Sequence, residues 1–366
     1  MVDNVTQLVK HHFGEGEASH RKILTADDVS QDERGICDLI RADCLRAALN
    51  LTRRLLTPYG QKVTPHSVQL WFTRLSLLVK LSAYQIAEAE GAAWWHPDRP
   101  DLYYQFYPKL YGARPGTMLP FQMRLLLATL PAYIKRYPKA LDRLYSILAV
   151  VRRILKNLDS GKKRELSKRV WTSRDARVSH SIVNVALMAK DYPLAVETLR
   201  GLIESNDSPN QKRALESALG RVLLQVGDVH SAERCFEASR ALRGGGRPDV
   251  RELVDRGLAL VANNNFRDAY DAFKKASTLD PYNIMVFNNM AVCLLYLGQL
   301  KNALTLLTTF IHNEPARTLT EPLLINVCTL FELESSRSDQ NKQSLLRQVA
   351  KYKGDAINVA CLKLLV

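Results

Sequence analysis

The sequence predicts an all-α protein, a right-handed α-solenoid of helix pairs with a C-terminal helical cap. Three observations predict it. The first is a repeated helix ending: Ala195…Leu199…Leu202, Ala232…Phe236…Ser239, Ala269…Phe273…Ala276 and Ala303…Leu307…Phe310. The second is the spacing of the leading alanines, 37, 37 and 34 residues. A period of about 34 residues, with a small residue and then a large one four later, marks tetratricopeptide-type helix pairs. The third is the helical period of the apolar residues within each copy, with turn residues between the two stretches.

The clearest copy runs from Leu253 to Pro281. Leu253, Gly257, Leu260 and Val261 form the stripe of its first helix, and Asn263-Asn264-Asn265-Phe266 forms the turn. Ala269, Phe273 and Ala276 follow on the second helix, which Pro281 stops. Gly257 and Ala269 are small so that the helices approach closely, which offsets the cost of about 1 kcal/mol for a glycine inside a helix. The next copy has Phe287, Ala291 and Leu294, then Leu297-Gly298-Gln299, and ends at Pro315. In the copy at 179–207, Pro193 fits only the first turn of a second helix, where its missing N–H is no loss.

Traced backwards, Trp71, Leu75, Leu78, Tyr84 and Ala87 fit the same template. So do Tyr137, Ala140, Leu144 and Ile147, preceded by 121–134, and Ala48 with Thr52 and Leu55. The full series of alanine spacings is 39, 53, 55, 37, 37 and 34. The domain plan is therefore a disordered polar tail at 1–34 and degenerate helical repeats at 35–157. A basic insertion at 158–178, four tetratricopeptide repeats at 179–320 and a helical cap at 321–366 complete it. The stretch from Pro97 to Pro120, rich in Pro, Gly and Tyr, is expected to pack over neighbouring helices.

Composition limits the function classes. The chain has 366 residues and a formal net charge of +14. Between Lys135 and Arg177 stand 14 Lys/Arg and 4 Asp/Glu, which is +10 of that total. Lys162, Lys163, Arg164, Lys168 and Arg169 are the densest part, a candidate contact for an anionic surface. Only Trp171 lies beside them, so the stacked aromatics of nucleic-acid readers are missing and no specific nucleic acid is expected. No run of about 18 apolar residues occurs and the N-terminus lacks an apolar leader, so a cytoplasmic location is expected. Cys37, Cys44, Cys235, Cys293, Cys328 and Cys361 show no metal-ligand spacing and read as small buried hydrophobes. His11, His12 and His20 share one polar stretch without a ligand pattern. No catalytic motif or phosphate loop is present, so neither enzyme activity nor a cofactor is expected.

The function that repeat physics favours is partner binding. Positions expected on the binding groove are Val254, Asp255 and Leu258, then Asn288, Val292, Leu295 and Tyr296. Of these, Val254, Leu258, Asn288, Val292, Leu295 and Tyr296 form the candidate partner site, suited to an apolar helix or a neighbouring subunit. The alternative is a peptide-binding adaptor or co-chaperone that holds a C-terminal carboxylate. Only Arg221, Arg251 and Asn288 suit that clamp, and Asp255 opposes it. An RNA-binding repeat rests on net charge alone.

Several strings also carry a resemblance. They are Asn288-Asn289-Met290-Ala291-Val292-Cys293-Leu294-Leu295-Tyr296-Leu297-Gly298, Phe331 to Ser338, Cys361 to Leu364, Leu70 to Leu75, Pro100 to Tyr104 and Leu223 to Asp228. From about residue 36 onwards the sequence resembles the subunit-12 family of the TRAPP (trafficking protein particle) complexes. The resemblance implies a non-catalytic scaffold of the TRAPP III assembly, with subunits 8, 11 and 13 and the shared core as partners. It implies indirect association with a Rab GTPase, whose nucleotide exchange the core catalyses. It further implies vesicle traffic between endoplasmic reticulum and Golgi, autophagy, and a peripheral location at the Golgi or the ER–Golgi intermediate compartment.

Overall fold

The computed structural model describes residues 3–60, 62–96, 99–159 and 165–364. Helices dominate, and among the described residues the only extended pairing is an isolated antiparallel bridge between Tyr103 and Thr117. The chain forms two compact units. One comprises 26–38 and 48–205, the other 1–25, 39–47 and 206–366.

In chain order, α1 (Asn4–Phe13) and α2 (Glu15–Ser19) precede α3 (Glu33–Arg41) and α4 (Leu45–Leu56). Then α5 (Pro65–Lys80) pairs with α6 (Tyr84–Ala92). The short α7 (Pro108–Tyr111) lies before the pair α8 (Phe121–Tyr133) and α9 (Tyr137–Asp159). The pair α10 (Glu165–Ala189) and α11 (Tyr192–Glu204) ends the first-described unit. The other unit stacks α12 (Pro209–Val226) with α13 (Val229–Ala241), α14 (Val250–Ala262) with α15 (Phe266–Leu279), and α16 (Ile284–Tyr296) with α17 (Leu300–Asn313). It closes on α18 (Pro315–Thr318), α19 (Glu321–Glu334) and α20 (Ser338–Tyr352).

One turn design joins α3 to α4 and the partners of the six pairs from α5–α6 to α16–α17. Asp43, Ser82, Lys135, Lys190, Gly227, Asn264 and Gly298 all have positive φ, between 57° and 91°. After each, one backbone N–H donates to the carbonyl five residues earlier: Cys44 to Leu39, Ala83 to Leu78, Arg136 to Pro131, Asp191 to Ala186, Asp228 to Leu223, Asn265 to Leu260 and Gln299 to Leu294, all at 2.8–3.0 Å. This left-handed ending satisfies carbonyls that the helix C-terminus would leave unpaired. Asp191, Asp228 and Asn265 then cap the second helix by accepting from the N–H three residues on. Five residues after each positive-φ position stands an anchor alanine. Ala48, Ala87, Ala140, Ala195, Ala232, Ala269 and Ala303 are all fully buried. The alanine spacing read from the sequence is thus the spacing of the turns themselves.

Only two of the seven positive-φ residues are glycines. A side chain with a Cβ in the left-handed region costs roughly 1–2 kcal/mol. Lys190→Gly is therefore expected to stabilise the protein by up to about 1 kcal/mol, after glycine's larger unfolded-state entropy is subtracted. A lowered melting temperature for this variant would contradict the strain argument.

Close approach is enforced in two pairs by the same device. A Cβ placed on Gly220 would lie 2.4 Å from the Phe236 ring, and one on Gly257 would lie 2.6 Å from Phe273. The first helix gives up its side chain where the ring of the second crosses it.

Two expectations are corrected. The tail at 1–34 is not disordered throughout. Val5, Leu8 and Val9 form a short apolar stripe on α1 and are buried against the core that holds Leu345, Leu346 and Val349 of α20. Ten residues are too few for a helix to stand alone in water, so this packing is what forms it. Asp3 caps α1 through the N–H groups of Val5 and Thr6. It also accepts from Arg21 Nε at 2.8 Å. The Arg21 side chain, 2% exposed, further donates to the carbonyls of Ala350, Lys353 and Gly354. Asp355 in turn accepts from the N–H groups of Arg46 and Ala47 at 2.8 and 2.9 Å. It caps α4 from more than 300 residues away, supplying the carboxylate that a helix N-terminus favours. The cap therefore includes the N-terminal segment as well as 321–366.

The second correction concerns 158–178. From residue 165 this stretch is the first half of α10, continuous with the repeat and packed along α9. Arg152 Nε lies 3.4 Å from Asp175 Oδ1. The Arg174 guanidinium stacks 4.3 Å over Trp171 and 4.9 Å over Phe121. The long alanine interval thus reflects, among the described residues, the length of α9 and α10, 23 and 25 residues.

Candidate functional site

The first helices of successive pairs, α12, α14, α16 and α19, share one face. Hydrogen bonds across it fix their register. Arg221 on α12 donates to Asp255 on α14 at 2.9 Å, and Arg213 to Asp249 at 2.7 Å. Asn326 Nδ2 on α19 donates to Asn288 Oδ1 on α16 at 2.6 Å. Asp255 is 3% exposed. Burial pushes its carboxyl above the usual range, against the opposing pull of Ser217 and Arg221.

The face changes character along the stack. On α12 and α14 it is polar and internally paired. On α16, Met285, Asn288, Val292 and Tyr296 follow one another at helical spacing. On α19, Pro322, Ile325, Thr329 and Leu333 do the same. Met285, Tyr296, Ile325 and Leu333 are exposed large apolar side chains. They stand on the two helices that the Asn288–Asn326 bond joins, and together make up an apolar patch. Phe266 stacks on Tyr296 with centroids 4.5 Å apart and planes 4° from parallel, so that ring is held in place.

The structure divides the six residues expected to meet a partner. Asn288, Val292 and Tyr296 lie together on this face. Leu258 and Leu295 are partly buried against the cores of adjacent pairs. Val254 is 1% exposed and packs in the core with Met290 and Cys293. It is a core residue, because a helix wedged between two neighbours buries more than the one stripe its period suggests. Sequence reasoning did not single out Ile325, Leu333 and Met285. A signal existed: α19 is apolar on nearly every side, more than one buried face requires. Two residues suited to a carboxylate clamp are already engaged, Arg221 by Asp255 and Asn288 by Asn326.

Of the basic candidates, Lys162, Lys163 and Arg164 lie outside the described residues. Lys168 and Arg169 are exposed on the first turns of α10, with Arg169 3.6 Å from Glu165. No group of three or more His, Cys, Asp or Glu among the described residues is placed to hold a metal. No described helix is long and apolar enough to cross a membrane. Burial pushes the thiols of Cys293 and Cys328 up to about 11 and that of Cys361 up to about 12. They sit in the packing as protonated thiols, poor nucleophiles.

No protein-family profile matches the chain. Among curated proteins it is similar to trafficking protein particle complex subunit 12 of Mus musculus, 40% identical over 386 aligned residues that cover 99% of this chain and 48% of that protein. The Homo sapiens protein of the same name is also 40% identical, with 99% of this chain and 52% of that protein covered. The chain thus spans about half the length of the curated relatives it matches. Among solved structures it is similar to a tetratricopeptide repeat protein of Parabacteroides merdae, with TM-score 0.44, 14% identity, and 81% of this chain and 96% of that one covered. It is also similar to the APC/C hetero-tetramer Cut9–Hcn1, with TM-score 0.39, 10% identity, and 98% and 57% covered. The fold assignment stands on the seven turns and their buried alanines. With helix pairs of tetratricopeptide type, the chain is thus similar along 99% of its own length, at 40% identity, to about half of trafficking protein particle complex subunit 12.

Proposed function

We propose that the chain is a non-catalytic scaffold subunit of a TRAPP complex, and specifically of the TRAPP III form. The observation that carries this reading is the 40% identity to subunit 12 over nearly the whole chain. The apolar patch on α16 and α19 supports it, since exposed apolar surface of this kind is characteristic of protein interfaces. In this reading subunits 8, 11 and 13 and the shared core are the partners. The chain contributes structure while the core performs nucleotide exchange on a Rab GTPase. It acts in ER–Golgi traffic and autophagy, in the cytoplasm and peripherally at Golgi-type membranes.

Affinity purification of the tagged chain from cells, with mass spectrometry, tests membership. Recovery of the other TRAPP subunits is the expected result, and their absence would overturn the reading. The patch is tested with Tyr296→Asp combined with Ile325→Asp. Both side chains are exposed, so the fold should persist, while co-purification of at least one subunit should drop about tenfold or more, as for central apolar contacts. Unchanged recovery would move the docking surface elsewhere on the molecule.

A further inference from the structure

We propose that the loop at 103–117 is a membrane-contact element that enters the surface of an anionic bilayer. Tyr103 and Thr117 form the isolated bridge. Tyr104 N–H donates to the Gly116 carbonyl at 3.0 Å, and Met118 N–H to the Leu102 carbonyl at 2.8 Å. Thr117 Oγ1 donates to the same Leu102 carbonyl at 3.1 Å. Leu102, Tyr104, Met118 and Leu119 are buried beneath it. The base is therefore fixed by hydrogen bonds and by packing.

The tip is built differently. Leu110 is 73% exposed and Phe106 55% exposed. The aromatic loop expected to pack over neighbouring helices thus packs only at its base. Tyr107 and Tyr111 are half-buried, and their ring centroids lie 6.4 Å apart. Tyr111 also meets Tyr104 edge-on, at 5.1 Å. Phe and Leu with tyrosines behind them is the composition of segments that seat in the headgroup region, where tyrosine places its ring in the apolar zone and its hydroxyl in water.

Charge selects the occupant. Lys109 is exposed at the tip, and the Arg114 guanidinium rests 4.1 Å over Tyr104. From 103 to 117 the sequence contains no Asp or Glu, while it contains Lys109 and Arg114. The loop itself thus presents basic and no acidic side chains to an acidic lipid surface, and each Lys or Arg close to such a surface adds attraction. The proposal uses the described residues of this loop alone. It does not require membership of any complex.

The test is flotation of the purified full chain with vesicles of phosphatidylcholine alone and of phosphatidylcholine mixed with phosphatidylserine. Binding to the mixed vesicles only, weakening with added salt, is expected. Phe106→Ser with Leu110→Ser should reduce that binding about tenfold, through loss of inserted apolar surface. An unchanged melting curve is expected, because both side chains are already exposed. Lys109→Glu with Arg114→Glu should abolish binding to mixed vesicles. Failure of the unaltered chain to bind mixed vesicles would overturn the proposal, as would full binding by the double-serine variant. So would loss of a co-purifying protein from the double-serine variant with vesicle binding intact, which would make the loop a protein-docking site.

Discussion

Replacing Phe273 by Ala should lower the stability of the C-terminal repeats by about 3–5 kcal/mol. The Phe273 side chain is fully buried, among Leu253, Val254, Ala269, Val286 and Met290. Its ring fills the place where Gly257 has no side chain. Truncation removes apolar contact and leaves a cavity between two rigid helices that cannot close on it, and both terms act in the same direction. Urea unfolding followed by helical circular dichroism measures the effect. Ala269→Leu attacks the same contact from the other side, and overpacking there should cost roughly 1–3 kcal/mol. A combination of Gly257→Ala with Phe273→Leu should recover part of the loss, since it trades the ring for a side chain on the facing helix. If Phe273→Ala left the unfolding midpoint unmoved, the close-approach account of the repeat would be wrong.

The second large effect is expected at Arg21. Arg21→Ala should cost about 3–5 kcal/mol, the range for breaking a buried ion pair from one side. The guanidinium holds Asp3 and the carbonyls at 350, 353 and 354 together in one closed cluster. Its loss leaves buried acceptors without donors and separates α1 from the end of α20. Hydrogen exchange should then accelerate in α1 and around Asp355, while the turns at Gly227 and Asn264 keep their protection. Protection in α1 equal to that of the unaltered chain would show that apolar packing of Val5, Leu8 and Val9 holds the segment without the charge cluster.

These two sites differ in how well the sequence announced them. Phe273, Gly257 and Ala269 were legible because they repeat. A repeat writes the same local contact several times, and each copy confirms the others. The degenerate N-terminal copies could be traced for the same reason: Ala48, Ala87 and Ala140 keep the anchor although the residues around them drift. Arg21 was not legible. It occurs once, its three carbonyl partners lie about 330 residues away, and nothing in a polar segment distinguishes a buried arginine from a solvated one. Val254 was misplaced for a related reason. Helical period gives a face, but it does not say how many neighbours cover it. On α19 the apolar excess was visible, while the side left open at Ile325 and Leu333 was not.

The all-α class and the anchor alanines of the helix pairs were legible in the sequence. These follow from side-chain size, period and capping over stretches of about 34 residues, where local physics decides. The tertiary structure alone decided which polar segment folds back on the cap, which carboxylate caps α4, and which apolar side chains stay in water. The physical reason is that burial is a property of meetings between distant segments. Asp355 meets Arg46 and Ala47, Val5 meets the core around α20, and Phe106 and Leu110 stay largely in water.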